Sequence, residues 1–207
     1  MADLVPVLPP HHPLEAHTAE FIGQATAAFA IEPEPFVATV DVRVPAGTTG
    51  PSLLGADLPT TPNTWVPGDA GRSVWLGPDE WLVTSTAHSP DGLERAVAAA
   101  VGPLGGAAVD VSAQRIGLRL TGSRVREVLA KGCSIDLHPR SFGRGRAAQT
   151  TVGLAGVILL ALSDSGDEFG VLVRSSFAGY LADWLLDAAA EFANPVTGPG
   201  PAALAGC

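Results

Sequence analysis

Between Ala108 and Leu120 apolar side chains recur at every second position, and beyond Thr121 the spacing turns helical; this change of period constrains the fold more than any other feature of the chain. Val109 and Val111 alternate with Asp110 and Ser112. After a tight turn at Ala113–Gln114, Ile116, Leu118 and Leu120 alternate with Arg115, Gly117 and Arg119. Two half-buried strands joined by a turn are expected. Thr121 or Ser123 can then cap a helix with Val125, Val128 and Leu129 on one face, stopped by Lys131 in its last turn and Gly132 just beyond. The stretch 108–139 specifies a local fold and holds no complete catalytic constellation.

The flanking chain supplies more elements of the same kind. Phe36, Ala38, Val40 and Val42 share one face of a strand over Phe36–Val44, and Pro45–Gly71 is a long connection whose one ordered piece is Leu58–Trp65. Val74–Leu76 and Trp81–Val83 flank Gly77–Glu80 as a hairpin, with Pro78 at the second position of a type I turn. Ser89 followed by Pro90 and Asp91 starts a helix that buries Leu93, Val97 and Val101 and ends at Gly102–Pro103. Val157–Leu162 is continuously apolar, as in a central strand covered on both faces, and Phe169, Val171 and Val173 return as its partner. Ser175 or Ser176 caps a last helix with the stripe Phe177, Leu181, Trp184, Leu185, Ala188 and Phe192. Leu14–Ala30 has helical spacing at Phe21, Ile22, Ala25 and Phe29, weakened by Gly23.

In order, strand 81, helix 93, strand 109, strand 116, helix 123 and strand 157 form a βαββαβ series of the ferredoxin-like or split-βαβ kind. With strand 170 and helix 177 added, the fold class is α+β, a sheet with helices on one face. Residues 1–35 are expected to be an N-terminal arm, 36–193 the α+β body, open to division into two sub-domains near 70–110, and 194–207 a flexible tail.

Composition narrows the function. A chain of 207 residues with 46% apolar content buries roughly 70% of its unfolded surface, enough for a real core. The net charge of −9 argues against nucleic acid, which needs a basic surface. Residues 1–103 hold twelve acids against three bases, whereas residues 104–207 hold nine of each. Eight of those bases fall within 115–146. The plainer reading of them is a solvated face; the sharper one is a docking surface for an acidic partner, carried by Arg115, Arg119, Arg140, Arg144 and Arg146, because arginine is enriched at interfaces. Two cysteines, no leader-like N-terminus and no apolar run near the ~20 residues of a membrane span point to the cytoplasm and away from a membrane.

The chemistry-bearing residues do not add up to a site. Ser134, Asp136 and His138 alternate, but a working triad is assembled from distant segments with its serine on a strained elbow, and no GxSxG is present. His11, His12 and His17 sit on a Pro-rich end without cysteines, a poor zinc scaffold, and His88 and His138 lie elsewhere. Cys133 follows Lys131-Gly132 at a helix C-terminus, whose dipole disfavours a thiolate, so a small buried hydrophobe is expected there. No phosphate loop or dinucleotide fingerprint follows a strand. No catalytic, cofactor-binding or metal residue is assigned in this chain.

Several stretches recur in one known family in this order: Trp75–Leu82 (WLGPDEWL), Asp110-Val111-Ser112 with Arg115, Lys131-Gly132-Cys133 through Asp136–Pro139, Gln149-Thr150, and Arg174–Leu181 with Trp184-Leu185. By these the chain resembles the gamma subunits of heterotetrameric sarcosine oxidase, from about Leu58 to Phe192. The resemblance implies a fold similar to the folate-binding region of glycine-cleavage T-proteins and membership of a cytoplasmic complex with alpha, beta and delta subunits. That complex oxidises sarcosine to glycine and hydrogen peroxide and passes the one-carbon unit to tetrahydrofolate. FAD, FMN and NAD, with tetrahydrofolate, are implied in the alpha and beta subunits and none in this chain. The expected role is a non-catalytic accessory subunit packed on the folate-binding part of alpha. The rivals are a stand-alone folate-binding aminomethyltransferase-like protein and a scaffold subunit of a related demethylase. A folate-sensing repair protein is set aside because Lys131-Gly132-Cys133 continues into Ser134-Ile135-Asp136 instead of Tyr.

Overall fold

The alternating segments form two five-stranded antiparallel sheets laid face to face. The computed structural model describes residues 12–47 and 52–193; His11 and the tail at 194–207 lie outside the described residues. In chain order the first elements are α1 (Thr18–Gln24), β1 (Ala30–Pro33), β2 (Ala38–Arg43), β3 (Ser52–Leu53), β4 (Ala56–Asp57) and β5 (Trp65–Gly68). Then come β6 (Gly71–Gly77), β7 (Glu80–Ser85), α2 (Pro90–Val101), β8 (Ala107–Asp110) and β9 (Arg115–Thr121). The chain closes with α3 (Val125–Ala130), β10 (Ala147–Val152), β11 (Ala155–Ala161), β12 (Glu168–Arg174) and α4 (Ala178–Ala189). One sheet runs β5-β6-β7-β2-β8 and the other β1-β9-β12-β11-β10, while β3 and β4 make a small ribbon.

Four layers follow from which faces are apolar. Leu93, Val97 and Val101 of α2 pack on Val40, Val42, Trp81 and Val83 of the first sheet. Val74, Leu76 and Leu82 meet Ala147, Ile158, Leu160 and Leu172 between the sheets. On the far side, Leu118, Leu120, Leu159, Val171 and Val173 pack under α3 and α4 through Val128, Leu129, Leu181 and Leu185. β11 is continuously apolar because it serves both interfaces, Val157, Leu159 and Ala161 toward the helices and Ile158 and Leu160 toward the other sheet.

The α+β class is therefore observed, but the βαββαβ series is shared between the two sheets. The turn at Ala113–Gln114 exists, with Gln114 N–H donating to Val111 O at 2.9 Å. The strands it joins do not pair: β8 lies on β2, whereas β9 lies between β1 and β12. Periodicity identifies a strand and its buried face, not its neighbour. What turns the chain out of the first sheet is Ser112, which is 5% exposed. Its backbone N–H donates to Asp110 Oδ1 at 2.9 Å, and its hydroxyl oxygen accepts from Thr39 N–H at 2.9 Å. The hydroxyl proton faces Asp110 Oδ1 at 2.5 Å, with Thr39 O farther away at 3.3 Å. Ser112→Ala strands a buried backbone donor of β2, so a loss of about 1–3 kcal/mol is expected in urea unfolding. A loss within experimental error would mean that water replaces the hydroxyl.

Other details depart from expectation for local reasons. Phe36 is 65% exposed because β2 begins two residues later, and Val109 is 56% exposed on β8, the edge strand of its sheet. Phe177 is 43% exposed in a 3-10 turn (Ser175–Phe177) that precedes α4. Ser175 Oγ donates to Ala113 O at 2.8 Å and does not cap that helix; α3 likewise has no side-chain cap, since Thr121 ends β9. The cap at Ser89 is present, its hydroxyl accepting from Gly92 N–H at 3.2 Å. Of Leu14–Ala30 only Thr18–Gln24 is α-helical, after a 3-10 turn at Glu15–His17, and Ile22 on it is exposed. The long connection is pinned by indoles: Trp81 Nε1 donates to Pro59 O at 2.8 Å, and Trp65 Nε1 to Ala161 O at 3.0 Å.

Candidate functional site

Arg115 opens β9 and stands directly opposite Arg174, which closes β12. Strand alternation puts both on the side of Leu172, facing the first sheet, because Val173 between them belongs to the helix side. The inter-sheet layer has thinned out at this end. A hollow of about 380 Å³ remains there, lined by Arg115, Arg174, Gln149, Thr150, Thr151 and Gly156. Gln149 is fixed by donating from Nε2 to Leu76 O at 2.8 Å, which ties β10 to the hairpin of the first sheet.

Like charges directly opposed across a strand pair repel. Neither arginine has an ion-pair partner among the described residues. Arg115 donates to the neutral Gln114 Oε1. Its affinity for its proton is lowered, first by burial and next by the charge of Arg174, while Asp41 and Glu80 oppose this more weakly. Those two acids are occupied elsewhere: Arg43 reaches Glu80 at 2.8 Å, Asp79 at 3.4 Å and Asp41 at 3.9 Å. Burial, followed by repulsion from Asp41, raises the Glu80 pKa, and Arg43 only partly offsets this.

Arg115 also borders a larger, mostly apolar cleft of about 530 Å³ between Glu34–Val37 and Ser112–Gly117, with the exposed Phe36 at its rim and Ser175 beside it. Glu34 is shared with a smaller adjoining hollow of about 100 Å³ that Arg72 lines, and Glu34 Oε1 and Arg72 Nη2 are 2.7 Å apart. Arg72 Nη1 is buried there without a hydrogen-bond partner.

The expected docking arginines are dispersed around this seam. Arg119 is paired with Glu168 at 2.7 Å, and Arg146 Nη1 donates to Pro62 O at 3.4 Å. Arg140 and Arg144 are exposed on the loop between α3 and β10. Only Arg115 lines the hollows. Arg174, Gln149, Glu34 and Arg72 were not singled out by spacing or charge runs; Gln149 and Arg174 stand out in the sequence solely through the family motifs.

The remaining candidates have structural occupations. Asp136 accepts from His138 N–H at 2.9 Å and from Ser141 Oγ at 2.7 Å, contacts that hold its pKa below the usual carboxylate range and shape the loop after α3. His12 Nδ1 accepts from Leu14 N–H, His17 Nε2 meets Asp183 at 3.0 Å, and His88 Nδ1 meets Ser85 Oγ at 2.9 Å. Among the described residues no three His, Cys, Asp or Glu side chains converge as metal ligands. Cys133 is 7% exposed within the helix-side core, Sγ 4.0 Å from Thr150 Oγ1. No helix among the described residues is long and apolar enough to cross a membrane.

Comparison with known proteins places these features in a family context. The model of the sarcosine oxidase gamma subunit family matches residues 43–191. The sarcosine oxidase subunit gamma of an Arthrobacter species is 38% identical over 186 residues, covering 86% of this chain and 90% of that protein. That of Corynebacterium sp. strain P-1 is 36% identical over 187 residues, covering 86% and 89%. The fold is similar to a chain of heterotetrameric sarcosine oxidase from Corynebacterium sp. U-96 in complex with pyrrole 2-carboxylate, with a TM-score of 0.78 and 30% identity over 88% of this chain and 96% of that chain.

Proposed function

This chain belongs to the sarcosine oxidase gamma subunit family, and from that premise we propose that it is the non-catalytic accessory subunit of a heterotetrameric oxidase that demethylates sarcosine. The observation that carries the reading is the likeness, along nearly its whole length, to one chain of such a heterotetramer. In this reading FAD, FMN, NAD and tetrahydrofolate belong to alpha and beta subunits, and this chain packs on the folate-binding part of alpha in the cytoplasm. Arg115, Arg119, Arg140, Arg144 and Arg146 are the basic side of that contact, complementary to an acidic partner surface.

The test is to recover an affinity-tagged chain from its native host. Co-purification of a yellow, sarcosine-dependent, peroxide-producing complex is the expected result, together with loss of complex yield when the chain is deleted. Normal assembly and turnover of the oxidase in the deletion strain would overturn the reading.

A further inference from the structure

We propose that the hollow walled by Arg115, Arg174, Gln149 and Thr151 is a carboxylate-binding socket that receives an acidic side chain of the partner subunit. The inference rests on the accessory-subunit reading and deepens it by naming the contact.

Three observations converge on this hollow. The first is the opposed arginine pair. Directly opposed residues of an antiparallel pair hold their Cβ atoms about 5 Å apart, so the two guanidinium groups repel unless an anion lies between them. No carboxylate of the described residues makes an ion pair with either; Asp41 and Glu80, whose charges reach Arg115, are held by Arg43. The second is the lining. Gln149 is immobilised through Leu76 O, and Thr151, two positions on along the same face of β10, offers a hydroxyl, so a carboxylate entering the 380 Å³ space would find charged and neutral donors together. The third is the adjoining apolar surface. Phe36, which is 65% exposed, lines the 530 Å³ cleft that Arg115 also borders, so an exposed apolar side chain flanks the basic centre, as at a docking anchor.

The stretches that define the family resemblance meet here as well. Arg115, Gln149-Thr150 and Arg174 come from three parts of the chain and line one space, and the Trp75–Leu82 hairpin holds Gln149 from the other sheet. Their packing alone does not need two facing arginines; Leu or Gln at either position would serve the sheet equally well.

The test uses the assembled complex and the free chain in parallel. Arg174→Gln and Arg115→Gln are each expected to weaken assembly about tenfold or more, read as the dissociation constant and as a lower NaCl concentration for half-dissociation. In the free chain the same changes remove a repulsion, so the thermal midpoint is expected to hold or rise. A midpoint that falls in step with affinity would show a merely structural role and overturn the proposal. A measurement on the unaltered protein guards against variants that fail to fold: phenylglyoxal should modify Arg115 and Arg174 in the free chain and spare both in the complex. Equal modification in both states, or variants that assemble like wild type, would also overturn it. Failure of the wild-type chain to bring any partner with it would instead sink the accessory-subunit reading, and this inference with it.

Discussion

Phe169→Ala is expected to lower the unfolding free energy by about 3–5 kcal/mol, the largest single effect in the helix-side core. Phe169 is fully buried, stands opposite Leu120 of β9 and Ala161 of β11, and stacks on Phe142 with ring centres 6.4 Å apart and an interplanar angle of 8°. Two costs combine: the lost transfer of an aromatic ring from water, and a cavity between rigid strands that cannot collapse into it. Phe142 is the apolar anchor of the loop that bears Arg140 and Arg144, and it is 6% exposed. Truncating Phe169 therefore also releases that loop, and trypsin cleavage after Arg140 or Arg144 should accelerate well before global unfolding. Urea titration with an unchanged slope checks the first outcome and limited proteolysis the second. A loss below about 1 kcal/mol would mean that the sheet and the helices and loop packed on it close over the gap.

The elements that sequence made legible are those with a single periodic signal. The hairpin around Pro78, the helix capped by Ser89 and the strand Val157–Leu162 all appear where alternation and turn chemistry put them. Sheet membership was not legible, because Val109 and Ile116 carry the same period-2 signature whether their strands pair with each other or, as here, with β2 and β12. The site was less legible still. Charge counting gathered Arg115 and Arg119 with Arg140, Arg144 and Arg146 because they are near in sequence; folding sends Arg119 to Glu168 and brings Arg115 to Arg174, 59 positions away. A pair of that kind is set by strand register, which leaves no local trace in composition or spacing.

The second large effect is expected at the Glu34–Arg72 pair in the small hollow adjoining the apolar cleft, and it tests whether the seam between the sheets is dry. Glu34 and Arg72 are 16% and 22% exposed, and glycines make room for them, Gly117 beside Glu34 in the same sheet and Gly170 facing Arg72 from across the seam. A Cβ at Gly117 would stand 2.2 Å from Glu34 Oε2, and one at Gly170 would lie 3.3 Å from Arg72 Nη1. Arg72 already has one nitrogen buried without a partner, and among the described residues Glu34 is its one ion-pair partner. Glu34→Gln keeps the shape and removes the charge, leaving a guanidinium in a low-dielectric gap at an expected cost of about 3 kcal/mol. Arg72→Met added to Glu34→Gln takes the orphaned cation away and should recover most of that loss, a non-additivity that a double-mutant cycle reads directly. If the single change instead costs under about 1 kcal/mol and the cycle closes additively, water reaches the pair and it behaves as an ordinary surface bridge. The cleft would then be wet, and its apolar walls would contribute less to any contact made there.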